Sequence, residues 1–319
     1  MGAPDSFESR TVPQQGIALE FVRVSGLRDK GLAKLLMAPL LLSRALADAL
    51  GVVRRQKPDV VLGMGGFAAG PGGVAAWLLM KPLVIHEQNA VAGFTNRCLA
   101  GVAAYVLQAF PQTFASRSGI TVGNPVRAAV KNIAAPEQRL AGRTGPMKVL
   151  VIGGSQGARF LNERLPAALK LIPESQRPQV RHQAGRTLEL AQQAYAQAGI
   201  GAEVSTFIDD MAAAYSWADL VVCRAGASTI AELAAAGCAS LLVPFPAAVD
   251  DHQTRNGEYL VKGGAALLVQ ERDLTPEKLA ALLSELATDR PRLLAMARAA
   301  RRVAQPDAVD AIVQILEAA

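Results

Sequence analysis

The sequence is poor in several residue types, and each scarcity excludes a class of protein. Only three cysteines occur among 319 residues, and their odd number and wide spacing favour reduced, cytoplasmic thiols over a disulfide framework or a zinc site. Aromatic residues make up 5% of the chain, which argues against binding of nucleic acid by base stacking. No uninterrupted apolar run reaches about 18 residues, so no membrane-spanning helix is predicted. The first ten residues are polar and do not form a signal peptide.

Charged residues are also sparse, at 19%, whereas hydrophobic residues reach 51%. A chain of this composition can bury large cores, which excludes disorder as its main state. The net charge of +6 allows a phosphate-bearing ligand or an anionic membrane surface but proves neither. The length predicts two domains.

Short apolar runs of strand type alternate with amphipathic helical stretches along the chain. This alternation predicts an α/β protein with parallel sheets, in two consecutive doubly wound domains with a ligand cleft between them. The expected boundaries are 1–125 for the first domain, 126–146 for a linker rich in proline, glycine and charge, 147–305 for the second domain, and 306–319 for a terminal helix that could pack back on the first domain. Within the first domain we expect a strand at 17–24, a helix at 30–55 with a break or bend near Pro39, and helices at 71–80 and 90–101.

Three glycine-rich segments follow predicted strands, at 63–73, 153–157 and 224–232. Glycine lets backbone N–H groups approach a ligand closely, and the helix that follows favours an anion such as a diphosphate. Tight turns without a ligand explain each segment about equally well. The spacing at 153–157 is not G-x-G-x-x-G, so a nicotinamide cofactor is poorly supported.

Two titratable residues stand where α/β enzymes place functional groups. Glu232 lies on a helix that Ser228 is expected to cap, and it could accept hydrogen bonds from sugar hydroxyls or be a solvated acid favoured by the helix dipole. His86 ends an apolar strand and is a weak candidate for a general base. Its alternative role is that of a hydrogen-bonded histidine that orders the strand end.

Other polar residues are interpreted as structural. His182 has no chemically useful neighbours in the sequence. The acidic pairs at 209–210 and 250–251 both precede helical stretches, so capping explains them better than a metal site does.

Residues 28–55 combine leucines with basic side chains, a pattern that suits either a core helix or attachment to an anionic bilayer. In isolation, the core helix is the better interpretation.

Seven short motifs in fixed order match a known family, at 25–28, 57–66, 86–89, 123–127, 153–158, 207–211 and 223–232. On these motifs the chain resembles the MurG family of bacterial glycosyltransferases over essentially its whole length. The resemblance implies two Rossmann-like domains of the GT-B type. It also implies inverting transfer of N-acetylglucosamine from UDP-N-acetylglucosamine to the 4-hydroxyl of the muramoyl pentapeptide unit on undecaprenyl diphosphate, a step of peptidoglycan synthesis. No metal or other cofactor is implied.

The resemblance also assigns roles to individual residues. Donor binding falls on Asn89, Arg127, Ser155, Ile208, Ala227, Ser228, Thr229, Ile230, Ala231, Glu232, His252 and Gln253, with His252 standing where the family has a glutamine. Acceptor binding falls on Gly65, Gly66, His86 and Glu87. Membrane docking falls on Lys34, Leu35, Leu36, Leu40 and Arg44, which reverses the interpretation of that helix in isolation. The implied partners are the two substrates and an anionic inner-membrane surface at its cytoplasmic face, without nucleic acid.

The chain departs from the family pattern at its start. The family's opening strand, its Gly-Gly-x-Gly-Gly-His loop and the following helix have no counterpart in this sequence. We therefore expect an incomplete N-terminal domain, and the catalytic base is not identified. Three alternatives follow: the enzyme itself with a start further upstream, a chain that binds the donor without turnover, and another UDP-sugar enzyme such as an epimerase.

Overall fold

The computed structural model describes residues 1–4, 6–24, 32–114, 119–154 and 157–319; at 7 and 32–36 only the backbone is described. The chain divides into two compact units. Unit 1 comprises Met1–Val122 and Val309–Ala319, and unit 2 comprises Gly123–Ala308. Each unit contains a parallel sheet accompanied by helices, as the alternating pattern predicts.

Within the described residues, unit 1 contains a parallel sheet whose strands pair in chain order. The strands are Val61–Gly63 (β1), Leu83–Glu87 (β2), Tyr105–Gln108 (β3) and Ile120–Thr121 (β4). The helices that precede or connect them are Phe7–Gln14 (α1), Leu32–Gln56 (α2), Gly66–Leu78 (α3) and Phe94–Leu99 (α4).

The side chains of β2 supply two apolar cores on opposite faces of this sheet. Leu83 and Ile85 lie in one cluster together with Val106. Val84, between them, lies in the other cluster with Leu107. Burial on both faces explains why this strand is a continuous apolar run rather than an alternating one.

The expected strand at 17–24 is wrong in extent. The structure shows a single parallel bridge between Gly2 and Phe21. The N–H of Gly2 donates to the carbonyl of Glu20, and the N–H of Val22 donates to the carbonyl of Gly2, both at 3.0 Å. Among the described residues no longer ladder forms, because the chain enters α1 shortly after Gly2.

Two helix expectations in unit 1 are also wrong in part. α2 continues across Pro39 without a break. α3 begins at Gly66, so most of the glycine-rich segment is helical rather than a loop. Gly65 and Gly66 have φ angles of +81° and +76°, a region that glycine enters without steric cost. These two residues make the turn that α3 continues.

Unit 2 contains a larger parallel sheet of the order β10-β9-β8-β5-β6-β7. Its strands are Lys148–Ile152 (β5), Gln179–Gln183 (β6), Glu203–Ser205 (β7), Leu220–Cys223 (β8), Ser240–Leu242 (β9) and Ala266–Leu268 (β10). Its helices are Ala128–Lys131 (α5), Pro136–Leu140 (α6), Arg159–Lys170 (α7), Leu188–Ala198 (α8), Met211–Trp217 (α9), Ala227–Ala236 (α10), His252–Lys262 (α11), Pro276–Thr288 (α12) and Arg290–Arg302 (α13).

The segment expected to be a linker, at 126–146, belongs to unit 2. Two of its arginines bind backbone carbonyls at the ends of helices. Arg139 donates to the carbonyls of Tyr215 and Ala218 near the end of α9, and to that of Gly237 after α10. Helix C-termini present unpaired carbonyls with partial negative charge, so arginine donors hold them well. The segment is therefore packed structure.

The last helix, Ala308–Glu317 (α14), joins unit 1 from Val309 onward. Ile312 is buried there in the same cluster as Val84 and Leu107. The chain thus returns to its first unit after completing the second.

His182, on β6, is fully buried, and its Nδ1 lies 2.9 Å from the hydroxyl of Tyr195. Burial lowers the pKa of His182 from its ordinary 6.5 to about 4. Between these two pH values the unfolded chain binds a proton that the folded chain does not. The contribution of this residue to stability is therefore complete above pH 6.5 and is lost as the pH falls through 4.

We expect this single group to lower the free energy of unfolding by about 2 kcal/mol between pH 7 and pH 5, because one pKa unit corresponds to about 1.4 kcal/mol. Urea unfolding of the wild type and of His182→Phe at both pH values measures the effect. The variant cannot take up the proton, so its free energy of unfolding should fall by about 2 kcal/mol less than that of the wild type between pH 7 and pH 5. Equal pH dependence in the two proteins would show that another group is responsible.

Candidate functional site

The candidate donor site lies at the carboxyl end of the unit 2 sheet, where the strand order reverses. β5 lies between β6 and β8, and in open α/β sheets ligands bind at this switch point. The loop after β8 leads into α10, whose N-cap is Gly226 rather than the expected Ser228. Ala227, Ser228 and Thr229 form the first turn of α10. Backbone N–H groups in a first turn have no acceptor within the helix and attract anions.

Glu232, one turn further along α10, is held at both carboxylate oxygens. Its Oε1 accepts hydrogen bonds from Nε and Nη2 of Arg127, at 3.1 and 2.8 Å. Its Oε2 accepts one from the hydroxyl of Tyr215, at 3.0 Å. The Glu232 side chain is 18% exposed, so the alternative of a freely solvated acid is wrong. A carboxylate held in this way keeps lone pairs for further donors in a fixed direction.

The other predicted donor-binding residues of this region differ in how deeply they are buried. Ile230 is buried, and its side chain is part of the packing of unit 2 rather than of an open surface. Ala231 is half-buried. Ile208 is also half-buried and lies in the segment between β7 and α9.

The segment before α5 lies against the start of α10. Arg127 is the N-cap of α5, and its side chain, 56% exposed, reaches Glu232. Nδ2 of Asn124 donates to the carbonyl of Ala227 at 3.5 Å. The structure thus brings together Arg127 and the 227–232 segment, as the family resemblance implies for donor-binding residues.

Gln253 connects the loops that follow two neighbouring strands. Its Oε1 accepts hydrogen bonds from the N–H of Ala225, after β8, at 3.2 Å and from that of Phe245, after β9, at 2.9 Å. Nδ1 of the adjacent His252 lies 2.7 Å from the carbonyl of Val249. Gln253 therefore lies at the same sheet edge as α10, whereas His252 is engaged in the turn that begins α11.

The acidic pairs divide between two structural roles. Asp210 caps α9, since its Oδ1 accepts from the N–H of Ala213 at 2.8 Å, which confirms the capping interpretation. Asp250 and Asp251 have φ angles of +53° and +50°, and Asp251 makes no side-chain cap bond to α11. Its Oδ1 accepts instead from the hydroxyl of Thr254 at 2.6 Å. Among the described residues, no group of three or more His, Cys, Asp or Glu side chains could hold a metal ion.

The glycine-rich segment after β5 is shaped by backbone packing. Ser155 and Gln156 lie outside the described residues. Gly157 has a φ angle of +76°, and a Cβ there would lie 2.7 Å from the carbonyl oxygen of Ala184. Glycine is required at this position whether or not a ligand binds nearby.

In unit 1, the candidate acceptor residues gather around the carboxylate of Glu87 at the end of β2. Glu87 is almost fully buried and accepts from the N–H groups of Asn89 and Gly93, both at 3.0 Å. It also accepts from Nδ2 of Asn96, at 2.8 Å. These bonds hold 88–93 outside the helix, which explains why α4 begins at Phe94 rather than at 90 as expected. Glu87 thus orders the turn that carries Asn89.

His86 is fully buried, and its Nδ1 lies 3.0 Å from Nε2 of Gln88. The side chains of Gln88 and Asn96 lie close to Gly65: a Cβ on Gly65 would be 3.7 and 3.5 Å from them. Gly65, His86 and Glu87 therefore share one end of the unit 1 sheet. The surroundings of His86 are those of a histidine that orders a strand end.

α2 packs into unit 1 along its second half and exposes apolar side chains nearer its start. Ala45, Ala49 and Val53, spaced by four residues, pack in a cluster of unit 1. Leu40 and the exposed residues Met37, Leu42 and Arg44 lie elsewhere on the helix, and Leu40 is 48% exposed. The side chains of Lys34, Leu35 and Leu36 lie outside the described residues. In the part of the chain that is described, no helix is both long and apolar enough to cross a membrane.

Two residues near the donor site were missed by the sequence analysis. Tyr215 binds Glu232, yet its partner lies 17 positions away and no motif connects them. Nη1 of Arg224 binds the carbonyls of Val243 and Pro244 and forms an ion pair with Glu271 at 2.6 Å. Its position directly after a buried strand was the available signal.

Comparisons with known proteins cover nearly the whole chain. Residues 1–108 match the N-terminal domain model of glycosyltransferase family 28, and residues 148–312 match the C-terminal domain model of the same family. A relative from Marinobacter nauticus is 56% identical over 322 residues, covering 100% of this chain and 89% of its own length. It is named UDP-N-acetylglucosamine–N-acetylmuramyl-(pentapeptide) pyrophosphoryl-undecaprenol N-acetylglucosamine transferase.

Solved structures agree with this similarity. The crystal structure of Acinetobacter baumannii MurG superposes with a TM-score of 0.86 at 41% identity, covering 99% of this chain and 90% of that one. A UDP-N-acetylglucosamine 2-epimerase reaches a TM-score of 0.61 at 14% identity, over 90% of this chain and 78% of that one. The second similarity shows a common fold alone.

Proposed function

The chain belongs to glycosyltransferase family 28 and has its GT-B fold, and from this membership we propose that it transfers N-acetylglucosamine from UDP-N-acetylglucosamine to the lipid-linked muramoyl pentapeptide of peptidoglycan synthesis. The observation that carries the proposal is 56% identity, over the full length of this chain, to a relative with that named activity. The acceptor is the 4-hydroxyl of the muramoyl sugar on undecaprenyl diphosphate.

We assign the donor to unit 2, at the switch point of its sheet. The diphosphate of the donor lies at the first turn of α10, where the N–H groups of Ala227, Ser228 and Thr229 face the ligand, with Arg127 beside it. Ser155, which lies outside the described residues, is assigned to the nucleotide or diphosphate on the family resemblance alone. Glu232 accepts hydrogen bonds from the ribose hydroxyls, and Ile208 borders the uracil. Gln253 joins the loops after β8 and β9, which supports its assignment to the donor. His252, whose Nδ1 lies against the carbonyl of Val249, is assigned to the donor on the family resemblance alone.

The reaction forms a bond between the acceptor oxygen and C1 of the sugar and breaks the bond from C1 to the diphosphate. The hydroxyl proton passes from the acceptor to a general base that is not among the residues assigned to the site, and the electron pair of the broken bond leaves with UDP. Negative charge therefore develops on the diphosphate, where helix N–H groups and the Arg127 guanidinium stabilise it. His86 is fully buried and bonded to Gln88, so it is not placed to accept the proton.

We assign the acceptor to the end of the unit 1 sheet. Gly65 and Gly66 form the turn into α3, whose N–H groups suit the acceptor diphosphate. The bonds from Glu87 to Asn89 and Gly93 hold the neighbouring turn in shape, and Asn89 meets the transferred sugar or the acceptor from there.

Incubation of the chain with UDP-N-acetylglucosamine and a soluble lipid I analogue tests the proposal. We expect release of UDP and a disaccharide product with inverted configuration, and we expect neither with the donor alone. Donor binding measured by calorimetry without any product would favour the donor-binding alternative. Formation of a UDP-linked epimer from the donor alone would favour an epimerase and contradict the proposal.

We further propose that α2 docks the protein on the cytoplasmic face of the inner membrane as a peripheral protein. Its exposed residues Met37, Leu40 and Leu42 offer apolar side chains, and Arg44 and the exposed Arg54 offer positive charge. Apolar residues beside basic ones favour the interface of an anionic bilayer. The acceptor lipid lies in the same membrane, so docking on it brings the site to its substrate.

Replacement of two of these leucines should release the protein from membranes. We expect the double variant Leu40→Glu with Leu42→Glu to bind phosphatidylglycerol vesicles at least tenfold more weakly. The substitutions remove apolar area that the bilayer would bury and add carboxylates that the anionic lipid repels. Vesicle sedimentation measures the binding. Leu171→Glu is the matched control, since Leu171 is equally exposed but lies in unit 2. Undiminished binding by the double variant would contradict the docking assignment.

A further inference from the structure

We propose that Tyr215 is a positioning residue for donor binding: its buried hydroxyl fixes Oε2 of Glu232 so that the carboxylate faces the ribose hydroxyls of a UDP-sugar. This inference rests on the proposed function, in which Glu232 binds the ribose. Tyr215 does not itself touch the ligand in this scheme. It acts through the orientation of Glu232.

The two partners of Glu232 differ in their freedom to move. The Arg127 side chain is more than half exposed, so it can turn toward a diphosphate when the donor arrives. The Tyr215 side chain is 1% exposed, and its ring is enclosed by the unit 2 core. Arg127 is thus an exchangeable partner, whereas Tyr215 is a permanent one.

The backbone of Tyr215 is also fixed. Its carbonyl accepts hydrogen bonds from Nη1 of Arg139 at 3.0 Å and from Sγ of the buried Cys238 at 3.8 Å. Arg139 binds the carbonyl of Gly237 as well, directly after α10. Arg139 therefore connects the C-terminal ends of two helices, α9 and α10. Tyr215 belongs to α9, and Glu232 belongs to α10.

The hydroxyl of Tyr215 remains a donor at all physiological pH values. Burial, together with the nearby negative charge of Glu232, raises the pKa of Tyr215 well above its usual range. A protonated phenol donates one hydrogen bond to Oε2 and leaves that oxygen with capacity for one more donor. Oε1, which accepts two bonds from Arg127, gains capacity when Arg127 turns away. The vicinal hydroxyls of a ribose supply two donors of matching spacing.

The inference extends to base recognition, because α9 begins just after the segment that holds Ile208. Asp210 caps this helix through the N–H of Ala213. Tyr215 lies in the second turn of the same short helix. Ile208, assigned to the uracil, therefore lies two residues before the N-cap of the helix that carries Tyr215.

The experiment compares binding of UDP and 2′-deoxy-UDP by calorimetry. We expect the wild type to bind UDP on the order of tenfold more tightly, as one charge-assisted hydrogen bond accounts for about that factor. Tyr215→Phe should reduce this ratio to less than a third of its wild-type value. General destabilisation of unit 2 would weaken both ligands equally and leave the ratio unchanged. Tyr195→Phe is the matched control, since it removes another buried hydroxyl, one that lies 2.9 Å from Nδ1 of His182.

The outcomes separate the inference from the proposed function. If Glu232→Ala abolishes the preference for UDP over 2′-deoxy-UDP but Tyr215→Phe leaves it intact, the inference is overturned and the ribose assignment of Glu232 stands. If the wild type binds UDP and 2′-deoxy-UDP about equally and Glu232→Ala does not change this, the ribose assignment of Glu232 is overturned, and the inference with it. A ratio lowered by Tyr215→Phe and by Glu232→Ala, but not by Tyr195→Phe, supports both.

Discussion

Glu232→Ala is expected to weaken binding of UDP-N-acetylglucosamine by about 10- to 100-fold, since hydrogen bonds to a charged group contribute about 1.5–3 kcal/mol. The substitution removes the acceptor of both ribose hydroxyls and leaves the buried hydroxyl of Tyr215 without its carboxylate partner. It also releases the guanidinium of Arg127. The effect should appear mainly as a higher KM for the donor, with an unchanged KM for the lipid acceptor. Calorimetric titration with UDP and steady-state kinetics measure the two quantities.

Two further variants separate charge from shape at this position. Glu232→Gln keeps the side-chain length and one acceptor oxygen but loses the charge, so we expect it to bind the donor better than Glu232→Ala and worse than the wild type. Glu163→Ala removes an exposed carboxylate from α7 that is paired with Arg159 and should leave the affinity unchanged. Unchanged affinity in Glu232→Ala would remove this residue from the donor site.

The sequence predicts β5 and β8 well because each is a compact apolar run bounded by glycine or polar residues, with all or nearly all of its side chains buried. The strand expected at 17–24 fails because strand formation depends on a pairing partner, and among the described residues this segment pairs with Gly2 in one bridge.

The candidate site follows the same division between local and distant information. Positions such as Gly226 and Glu232 can be predicted to lie near a helix start because strand, loop and helix follow each other in the sequence. The partners of Glu232 cannot, since Arg127 is 105 residues away and Tyr215 is 17 residues away in another helix. Arg139 looks like a loop residue because the acceptors of its side chain are backbone carbonyls, which leave no trace in side-chain composition.

Asp219→Ala should cost unit 2 about 3–5 kcal/mol of stability, the range found when one partner of a buried ion pair is removed. The Asp219 side chain is 2% exposed and lies between two arginines. Nη1 of Arg143 is 2.6 Å from Oδ1, and Nη1 of Arg290 is 2.6 Å from Oδ2. Oδ2 also accepts the backbone N–H of Lys148 at 2.9 Å. The substitution therefore leaves two guanidinium groups and one backbone donor without their common acceptor.

Urea unfolding of the variant and the wild type at pH 7 measures this loss as a lower midpoint at unchanged slope. Asp219→Asn preserves the shape and the acceptor for Lys148 but not the charge, so its loss should be intermediate. Glu163→Ala removes a charge from an exposed ion pair with Arg159, and such pairs contribute about 0.3–0.5 kcal/mol. If Asp219→Ala lost no more stability than Glu163→Ala, the two arginines would have to find solvent or other acceptors at no cost. Their burial beside the sheet, with side chains 19% and 31% exposed, argues against that, because a desolvated cation retains its need for an anion.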